Sequence, residues 1–420
     1  MTQRGFQAGS LAARANRDTF AILFRNPALN TVPTYGKSGL RAAAAAALVF
    51  FWPLFCDAQY RHKLFSSNMI FEGKVHYGFI YPQHLEMELF NAHFPSFEFS
   101  IQQITYGKHR WERDYSYPLI GVTAWYSGLG NSPYLGKSYA LMPFINFPLY
   151  RHKEFMAGFR LALGVGYLTR PFDRLENYKN LAIGSHLNAA VNLMFEARYT
   201  LNYYLTLTGA ISLQHFSNGS LKLPNYGLNI PTLSVGASLR PFKANKNIDD
   251  RFYAPTDPFE AIVYKSLEID AGAMAGYKNM QAVYGQNFGV LHLYGTAFFR
   301  LGKISKAGFG ADVSWDGSHV RILELNGDTV GSPFLVARPG LNGSYQLVMS
   351  RVGLIASLGV YLAGKEKTNG PFYEKFTFQY NFSQKLFASV MLKVHWGRAD
   401  YIGWGLGYKF NARYGKRTIR

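Results

Sequence analysis

A histidine and a serine two positions apart end an alternating stretch of the sequence, within the segment LQHFSNGSLKLPNYG at residues 213–227. Because residues i and i+2 of a β-strand project from the same face, His215 and Ser217 would lie side by side on a strand. A neutral imidazole can take the proton of a serine hydroxyl and create a nucleophile for acyl transfer. Asn218 and the backbone N–H groups after it are suited to stabilise the resulting oxyanion. The spacing predicts a serine esterase site.

The same residues would also occur if His215 were a non-catalytic histidine at the end of a strand and Ser-Asn-Gly began a loop. The surrounding sequence must therefore distinguish the two interpretations. Both side chains continue an otherwise apolar stripe, and a loop rich in Pro, Gly and Asn follows directly, at residues 218–230. These two features favour the esterase interpretation over the alternative.

The stretch that leads to this pair alternates with a period of two, which is typical of a β-strand. Residues 71–81, 155–167 and 231–240 alternate in the same way as residues 203–217. One face of each is aliphatic or aromatic, and the other is small, glycine-rich and hydroxylic instead of charged. Such a second face suits the interior of a narrow barrel, and the length of about 10–14 residues suffices for a tilted membrane strand. The pattern predicts an all-β, antiparallel outer-membrane barrel, with a secreted soluble β-protein as the alternative.

The composition agrees with export to a membrane. Of 420 residues 48% are apolar and only 16% are charged, and no apolar run reaches the roughly 18 residues of a spanning helix. The apolar run 42–55 follows Lys37 and Arg41 and precedes small residues up to Ala58, the order of a secretory signal. We therefore expect residues 1–58 to be an N-terminal extension plus signal peptide. A buried helix is the alternative.

The rest of the chain divides into two similar halves. Eight strands are expected in residues 59–242 and eight more in residues 259–420, joined by the polar, turn-rich linker 243–258. The segment VGLIASLGVYLAG of the second half echoes MAGFRLALGVGYLT of the first. We expect two eight-stranded units, and one 16-stranded barrel is the alternative because closure depends on which strands pair.

At the segment of the histidine and serine the sequence resembles a known family, the PagL-type lipid A 3-O-deacylases. The resemblance rests on HFSNGSLKLPNYGLN and on GKSYALMPFINFPLY at residues 136–150, and it extends over about residues 70–242. It implies an eight-stranded outer-membrane serine hydrolase in which His215 is the base and Ser217 the nucleophile. It further implies that Asn218 and the backbone N–H of Ser220 bind the oxyanion.

The third catalytic position departs from the family. The glutamate that orients the histidine there falls at Asn229 in this chain. An asparagine can accept a hydrogen bond from the ring but cannot offer the imidazolium a full charge, so we expect a slower reaction. Glu196 is no substitute, because Phe195 and Ala197 belong to the lipid-facing set and Glu196 should point inward.

The second half lacks this site. His395 falls on the inward face of its strand, and Gly397 stands where a serine would be needed. We expect a non-catalytic unit with a docking or stabilising role, dispensable for the chemistry. Residues 317–331 are predicted to form a loop hairpin around Asn326-Gly327.

The predicted function is the removal of an ester-linked acyl chain from the lipid A of lipopolysaccharide. Lipopolysaccharide and outer-membrane lipids are the expected partners, and the net charge of +19 suits lipid phosphates. We expect no cofactor, no metal and no nucleic acid. The alternatives are a non-enzymatic structural or narrow-channel barrel and an outer-membrane phospholipase.

Overall fold

Sixteen β-strands form most of the regular structure in the computed structural model, which describes residues 69–107, 109–241, 264–280 and 285–416. The strands are β1 (Met69–Phe79), β2 (His93–Ile104), β3 (Leu119–Ser127), β4 (Ser138–His152), β5 (Phe155–Leu168), β6 (Leu187–Thr200), β7 (Leu205–Ser217), β8 (Leu228–Leu239), β9 (Tyr264–Met280), β10 (Gln286–Arg300), β11 (Ser305–Asp316), β12 (Arg338–Met349), β13 (Val352–Tyr361), β14 (Phe372–Asn381), β15 (Leu386–His395) and β16 (Arg398–Lys416). The predicted signal peptide and linker lie outside the described residues.

Helices are short and lie in the connections. They are α1 (Arg110–Asp114), α2 (Gly317–Leu325) and two 3₁₀ turns, Leu85–Phe90 and Pro333–Val336. None of the helices in the described part of the chain is long and apolar enough to cross a membrane.

The strands close into two separate barrels. Strands β1 to β8 pair in chain order, and β1 returns to pair with β8, with Phe71 opposite Leu239. Strands β9 to β16 close in the same way, with Ile269 opposite Phe410. Two closed eight-stranded antiparallel barrels confirm the predicted fold, and the alternative of one 16-stranded barrel is wrong.

The alternating sequence becomes an apolar exterior and a polar interior. On β8, the outward side chains of Leu233 and Val235 are 66% and 71% exposed, whereas Thr232 and Ser234 are buried in the lumen. Exposed large apolar side chains occur on most of the other strands as well, and they need an apolar environment around the barrels.

The two rims of the first barrel differ in the length of most of their connections. Short turns join β4 to β5 and β6 to β7 at one rim, and long loops such as those between β5 and β6 and between β7 and β8 lie at the other. The end of β7, with His215 and Ser217, lies at the long-loop rim.

A balanced set of charges fills the lumen of the first barrel. Three carboxylates face three cations there, and all six are buried: Glu72, Glu98, Glu196, Lys74, Arg160 and Arg198. Lys74 Nζ lies 2.7 Å from Glu196 Oε2, and Arg160 Nη2 lies 2.9 Å from Glu98 Oε1. Glu196 therefore points inward, as predicted, and cannot reach the outward face that carries His215.

The second barrel is bridged by a different buried network. Asp312 contacts Lys375 and accepts a hydrogen bond of 2.9 Å from Tyr373 Oη. Lys278 Nζ lies 2.6 Å from Asp400 Oδ1. Strands β11 and β14 are not neighbours in the barrel, so the contacts of Asp312 cross the second lumen, as those of Glu196 and Glu98 cross the first, which argues against the narrow-channel alternative.

Removal of one lumenal carboxylate should destabilise the first barrel. Glu196→Ala leaves three cations facing two carboxylates, and an unpaired buried charge typically costs about 3–5 kcal/mol. We expect the barrel to lose its heat-modifiable gel mobility at a lower temperature. The double variant Glu196→Ala/Lys74→Met, which restores the balance, should recover part of the loss. A single variant that melts with the parent would contradict this account of the lumen.

The predicted hairpin at residues 317–331 is wrong. The structure instead forms α2 directly after β11. Asp316 caps this helix, because its carboxylate accepts a hydrogen bond of 2.9 Å from the backbone N–H of Ser318. Burial of Leu323 on the inner side of the helix also favours it over a hairpin around Asn326-Gly327.

Candidate functional site

The predicted base and nucleophile share the outward face of β7 at its C-terminal end. Gln214 and Phe216, which alternate with them, are fully buried in the barrel, whereas His215 and Ser217 are half-buried. Across the sheet His215 is paired with Asn229 of β8, and Ser217 is paired with Ala189 of β6. The strand period thus brings the two side chains to one face, as the sequence predicts.

Asn229 contacts the histidine directly. His215 Nδ1 lies 2.6 Å from Asn229 Oδ1. A ring nitrogen that faces an amide oxygen must carry the proton and donate it, which leaves Nε2 unprotonated as an acceptor. This is the tautomer that a general base beside a serine needs. The position predicted for the third member is therefore occupied by a neutral side chain that contacts the ring.

A glycine provides the space for this ring. Gly227 has a φ of +81°, and a Cβ added there would lie 3.0 Å from His215 Cε1. A larger residue at this position would be strained and would press on the imidazole.

The hydroxyl of Ser217 receives two hydrogen bonds from the loop that follows it. Asn225 Nδ2 donates at 2.9 Å, and the backbone N–H of Gly219 donates at 3.2 Å. No hydrogen bond joins Ser217 to His215 in the described part of the chain. Catalytic hydrogen bonds are often long or poorly aligned in a free enzyme and shorten when substrate binds. Because Ser217 and His215 share one face of β7, rotation of their side chains is the movement needed to bring them together.

The loop after Ser217 has the geometry of an anion-binding turn. Gly219 and Ser220 have φ angles of +62° and +66°, so two successive residues are left-handed. Successive N–H groups in a tight turn point to one side of the chain, where they are placed to bind an anion. Among the described residues, the Ser220 N–H donates no hydrogen bond. This N–H is therefore available in the way that the predicted oxyanion donor requires.

The side chain of Asn218 is already engaged. Its Nδ2 donates to Ser185 Oγ at 2.9 Å and to the backbone oxygen of Lys222 at 2.8 Å, and the residue is buried. Both amide protons are used, so one of these bonds must break before Asn218 can donate to an oxyanion. Its role as an oxyanion donor stays a prediction. In the structure its side chain stabilises the loop through these two hydrogen bonds.

Asn225 is the residue that the sequence analysis missed. Besides its bond to Ser217, its Oδ1 accepts a hydrogen bond of 3.1 Å from the backbone N–H of Asn218. The Pro-Asn-x-Gly spacing in which it lies helped to identify the resemblance but received no chemical role. Within the described ranges, no cluster of three or more His, Cys, Asp or Glu side chains is arranged to hold a metal ion.

Comparison with protein families shows which family of barrel proteins the chain resembles. Residues 96–238 match the family "Lipid A 3-O-deacylase (PagL)", and residues 267–412 match "Acyloxyacyl hydrolase, C-terminal domain". The chain belongs to the PagL-type lipid A deacylase family. The two matches correspond to the two barrels and together span roughly two thirds of the chain.

Other similarities are weak. Neisserial surface protein A is 10% identical, with a TM-score of 0.30 over 41% of this chain and 96% of that chain. A mutant porin of Rhodopseudomonas blastica is 7% identical, with a TM-score of 0.16 over 81% and 100% of the two chains. An outer-membrane channel from Pseudomonas putida F1 is 11% identical, with a TM-score of 0.17 over 85% and 100%. TM-scores this low carry no conclusion. No curated protein sequence matches the chain significantly.

Family membership and the apolar exterior both indicate that this PagL-type protein lies in the outer membrane. It is an outer-membrane β-barrel protein of a lipid A deacylase family, and its relevant substrate class is lipid A. The long-loop rim with His215 and Ser217 faces the outer surface, because barrels of this kind have short periplasmic turns.

Proposed function

We propose that this protein is an outer-membrane serine esterase that removes an ester-linked acyl chain from lipid A. The observation that carries the proposal is the 2.6 Å contact between His215 and Asn229 on the strand face that also carries Ser217. This face meets the acyl chains at the membrane boundary, where an ester near a sugar is within reach of the hydroxyl.

In the proposed reaction Ser217 Oγ attacks the carbonyl carbon of the ester while His215 Nε2 takes the hydroxyl proton. The Ser220 N–H and the Asn225 side chain bind the tetrahedral oxyanion, together with Asn218 if it releases one of its present bonds. As the oxyanion collapses, the sugar oxygen leaves with the proton from His215. Water then attacks the acyl-enzyme with His215 as base, and the fatty acid and free Ser217 are formed.

Mass spectrometry of lipid A tests the proposal directly. Purified protein in detergent is incubated with lipid A and, separately, with a phospholipid of the same acyl-chain length, and a Ser217→Ala protein is the control. We expect lipid A to lose one acyl chain with the gain of one water, and a matching free fatty acid to appear. Unchanged lipid A together with cleaved phospholipid would favour the phospholipase alternative, and two unchanged lipids would favour a non-enzymatic barrel.

Replacement of the neutral third member by a charged one should increase the rate. Asn229→Asp is isosteric, so a carboxylate oxygen can keep the present contact with His215 while stabilising the imidazolium in the transition state. We expect kcat to rise by about tenfold, far less than the ~10⁴ that separates aspartate from asparagine in a serine triad, because Asn229 already fixes the tautomer. The acid limb of the pH–rate profile should move to higher pH. Asn229→Ala should lower kcat, since the ring loses its acceptor.

Initial rates on lipid A micelles at one detergent concentration measure this effect. Asn131→Asp, in the outer loop between β3 and β4, is a matched control for the added charge at the same rim. Equal rates for the parent, Asn229→Asp and Asn229→Ala would mean that Asn229 does not orient the base.

A further inference from the structure

The loop that carries the proposed oxyanion donors contacts the second barrel, although it belongs to the first. Residues 219–223 lie against the outer ends of β9, β15 and β16. Three different kinds of contact meet there: a backbone hydrogen bond, side-chain hydrogen bonds and an apolar contact.

Asn279 makes two of these contacts. Its backbone N–H donates to the backbone oxygen of Ser220 at 2.8 Å, and its Oδ1 accepts from the backbone N–H of Leu223 at 3.4 Å. The neighbouring Lys278 points into the lumen toward Asp400, so Asn279 points outward, on the face that usually meets lipid. A polar side chain on this face needs a partner, and Asn279 is only 7% exposed because it has several. Its Nδ2 donates to Asn287 Oδ1 at 2.9 Å and to the backbone oxygen of Gly285.

The start of β16 holds the same loop from the other side. Ser220 Oγ donates to the backbone oxygen of Ala399 at 2.7 Å. Ser220 is thus fixed through its carbonyl oxygen and its hydroxyl by the second barrel, while its own N–H donates no hydrogen bond within the described ranges. A residue at a φ of +66° is in a conformation that costs free energy for a side chain other than glycine, and these two bonds offset that cost.

An apolar contact completes this interface. A Cβ added to Gly219 would clash with Ile402 Cδ1, so the side chain of Ile402 packs directly on the glycine backbone. Ile402 is on the outward face of β16, between the lumenal residues Tyr401 and Gly403.

The opposite rim is bridged as well. In the connection between β2 and β3, Tyr115 Oη donates at 3.2 Å to the backbone oxygen of Ile304, in the turn between β10 and β11. Burial raises the pKa of Tyr115, which keeps the hydroxyl protonated as a donor. Hydrogen bonds therefore join the two barrels at both rims. The bond at the short-turn rim helps to keep the second barrel in contact with the oxyanion loop at the other rim.

We propose that the second barrel positions the oxyanion loop of the first, with Asn279 and Ile402 as positioning residues that hold Ser220 so that its N–H faces the acyl carbonyl bound at Ser217. This inference rests on the proposed function. It replaces our expectation that the second half is dispensable for the chemistry, although that half carries no catalytic group. The two barrels then form one active site, because the donor geometry depends on residues more than fifty positions beyond Ser217 in the sequence.

The test compares kcat and KM of full-length Asn279→Ala, Ile402→Ala and the double variant. An oxyanion donor acts in the transition state, so a displaced loop should lower kcat and leave KM unchanged. Asn279→Ala keeps the backbone bond to Ser220 but removes the side-chain bond to Leu223, and Ile402→Ala removes the packing on Gly219. Loss of one contact of this size corresponds to about a three- to tenfold decrease for each single variant. The double variant should lose about as much as the two together. Heat-modifiable mobility should be that of the parent.

Matched control variants lie on the second barrel away from this interface. Leu341→Ala removes an aliphatic, outward side chain of β12, and Asn326→Ala removes an exposed asparagine after α2. Both should keep the parent kcat. Parent kcat values for Asn279→Ala and Ile402→Ala would overturn the inference. So would equal losses of kcat and folded protein, because the second barrel would then act only on stability.

The proposed function is tested separately in the same assay. If the parent releases fatty acid and Ser217→Ala does not, the esterase assignment stands whatever the positioning variants do. If Ser217→Ala is as active as the parent, the assignment of Ser217 fails, and the inference about Asn279 and Ile402 fails with it.

Discussion

Replacement of Ser217 by alanine should abolish ester hydrolysis while the barrel still folds. The hydroxyl of Ser217 forms the acyl-enzyme in the proposed reaction, and in serine hydrolases loss of the nucleophile or the base lowers kcat by about 10⁴- to 10⁶-fold. His215→Ala should have an effect of the same order, because Ser217 then has no acceptor for its proton. The double variant should be no slower than either single variant, since the two groups act as a unit.

The measurement is fatty acid release from lipid A, with gel mobility before and after heating as a check of folding. Ser132→Ala and His93→Ala are suitable controls, because both residues are exposed at the same rim and lie outside the proposed site. Normal activity of either Ser217→Ala or His215→Ala on purified lipid A would exclude the proposed catalytic pair.

The sequence predicted the part of the fold that depends on a period of two. The stretch 203–217 corresponds to β7, and residues 155–167 correspond to β5, because alternation reports directly which face of a strand is apolar. The choice between two barrels and one could not be made locally. It depends on whether β1 returns to β8 or to β16, and that pairing leaves no mark within any single strand.

The sequence predicted the strand residues of the candidate site from the strand period and the resemblance, and it predicted the loop residues Asn218 and Ser220 from the resemblance alone. His215, Ser217 and Asn229 lie on paired strands, so their positions follow from the period and the resemblance. Asn225 and Asn279 are brought to the site by a loop path and by contact between the barrels. Neither can be derived from spacing, since a residue in a loop has no fixed direction until the loop folds.

Asn225 is expected to be the second strongest determinant of the rate after the catalytic pair. Its Nδ2 lies 2.9 Å from Ser217 Oγ, close to the point where the oxyanion will form once Oγ is bonded to the carbonyl carbon. Its Oδ1 at the same time holds the Asn218 N–H, at the start of the loop. Loss of one preorganised donor lowers kcat by about 10²–10³-fold in comparable sites. We therefore expect a decrease of this order for Asn225→Ala with little change in KM.

Asn225→Asp separates the two roles of this side chain. A carboxylate can still accept from the Asn218 N–H and keep the loop in place, but it donates nothing and places a negative charge beside the oxyanion. If donation is the important role, Asn225→Asp should be at least as slow as Asn225→Ala. If holding the loop is what matters, Asn225→Asp should keep nearly the parent rate, and Ser220 would remain the principal donor. Single-turnover rates on lipid A, with Asn131→Ala as the loop control, distinguish these outcomes, and parent rates for both Asn225 variants would remove Asn225 from the mechanism.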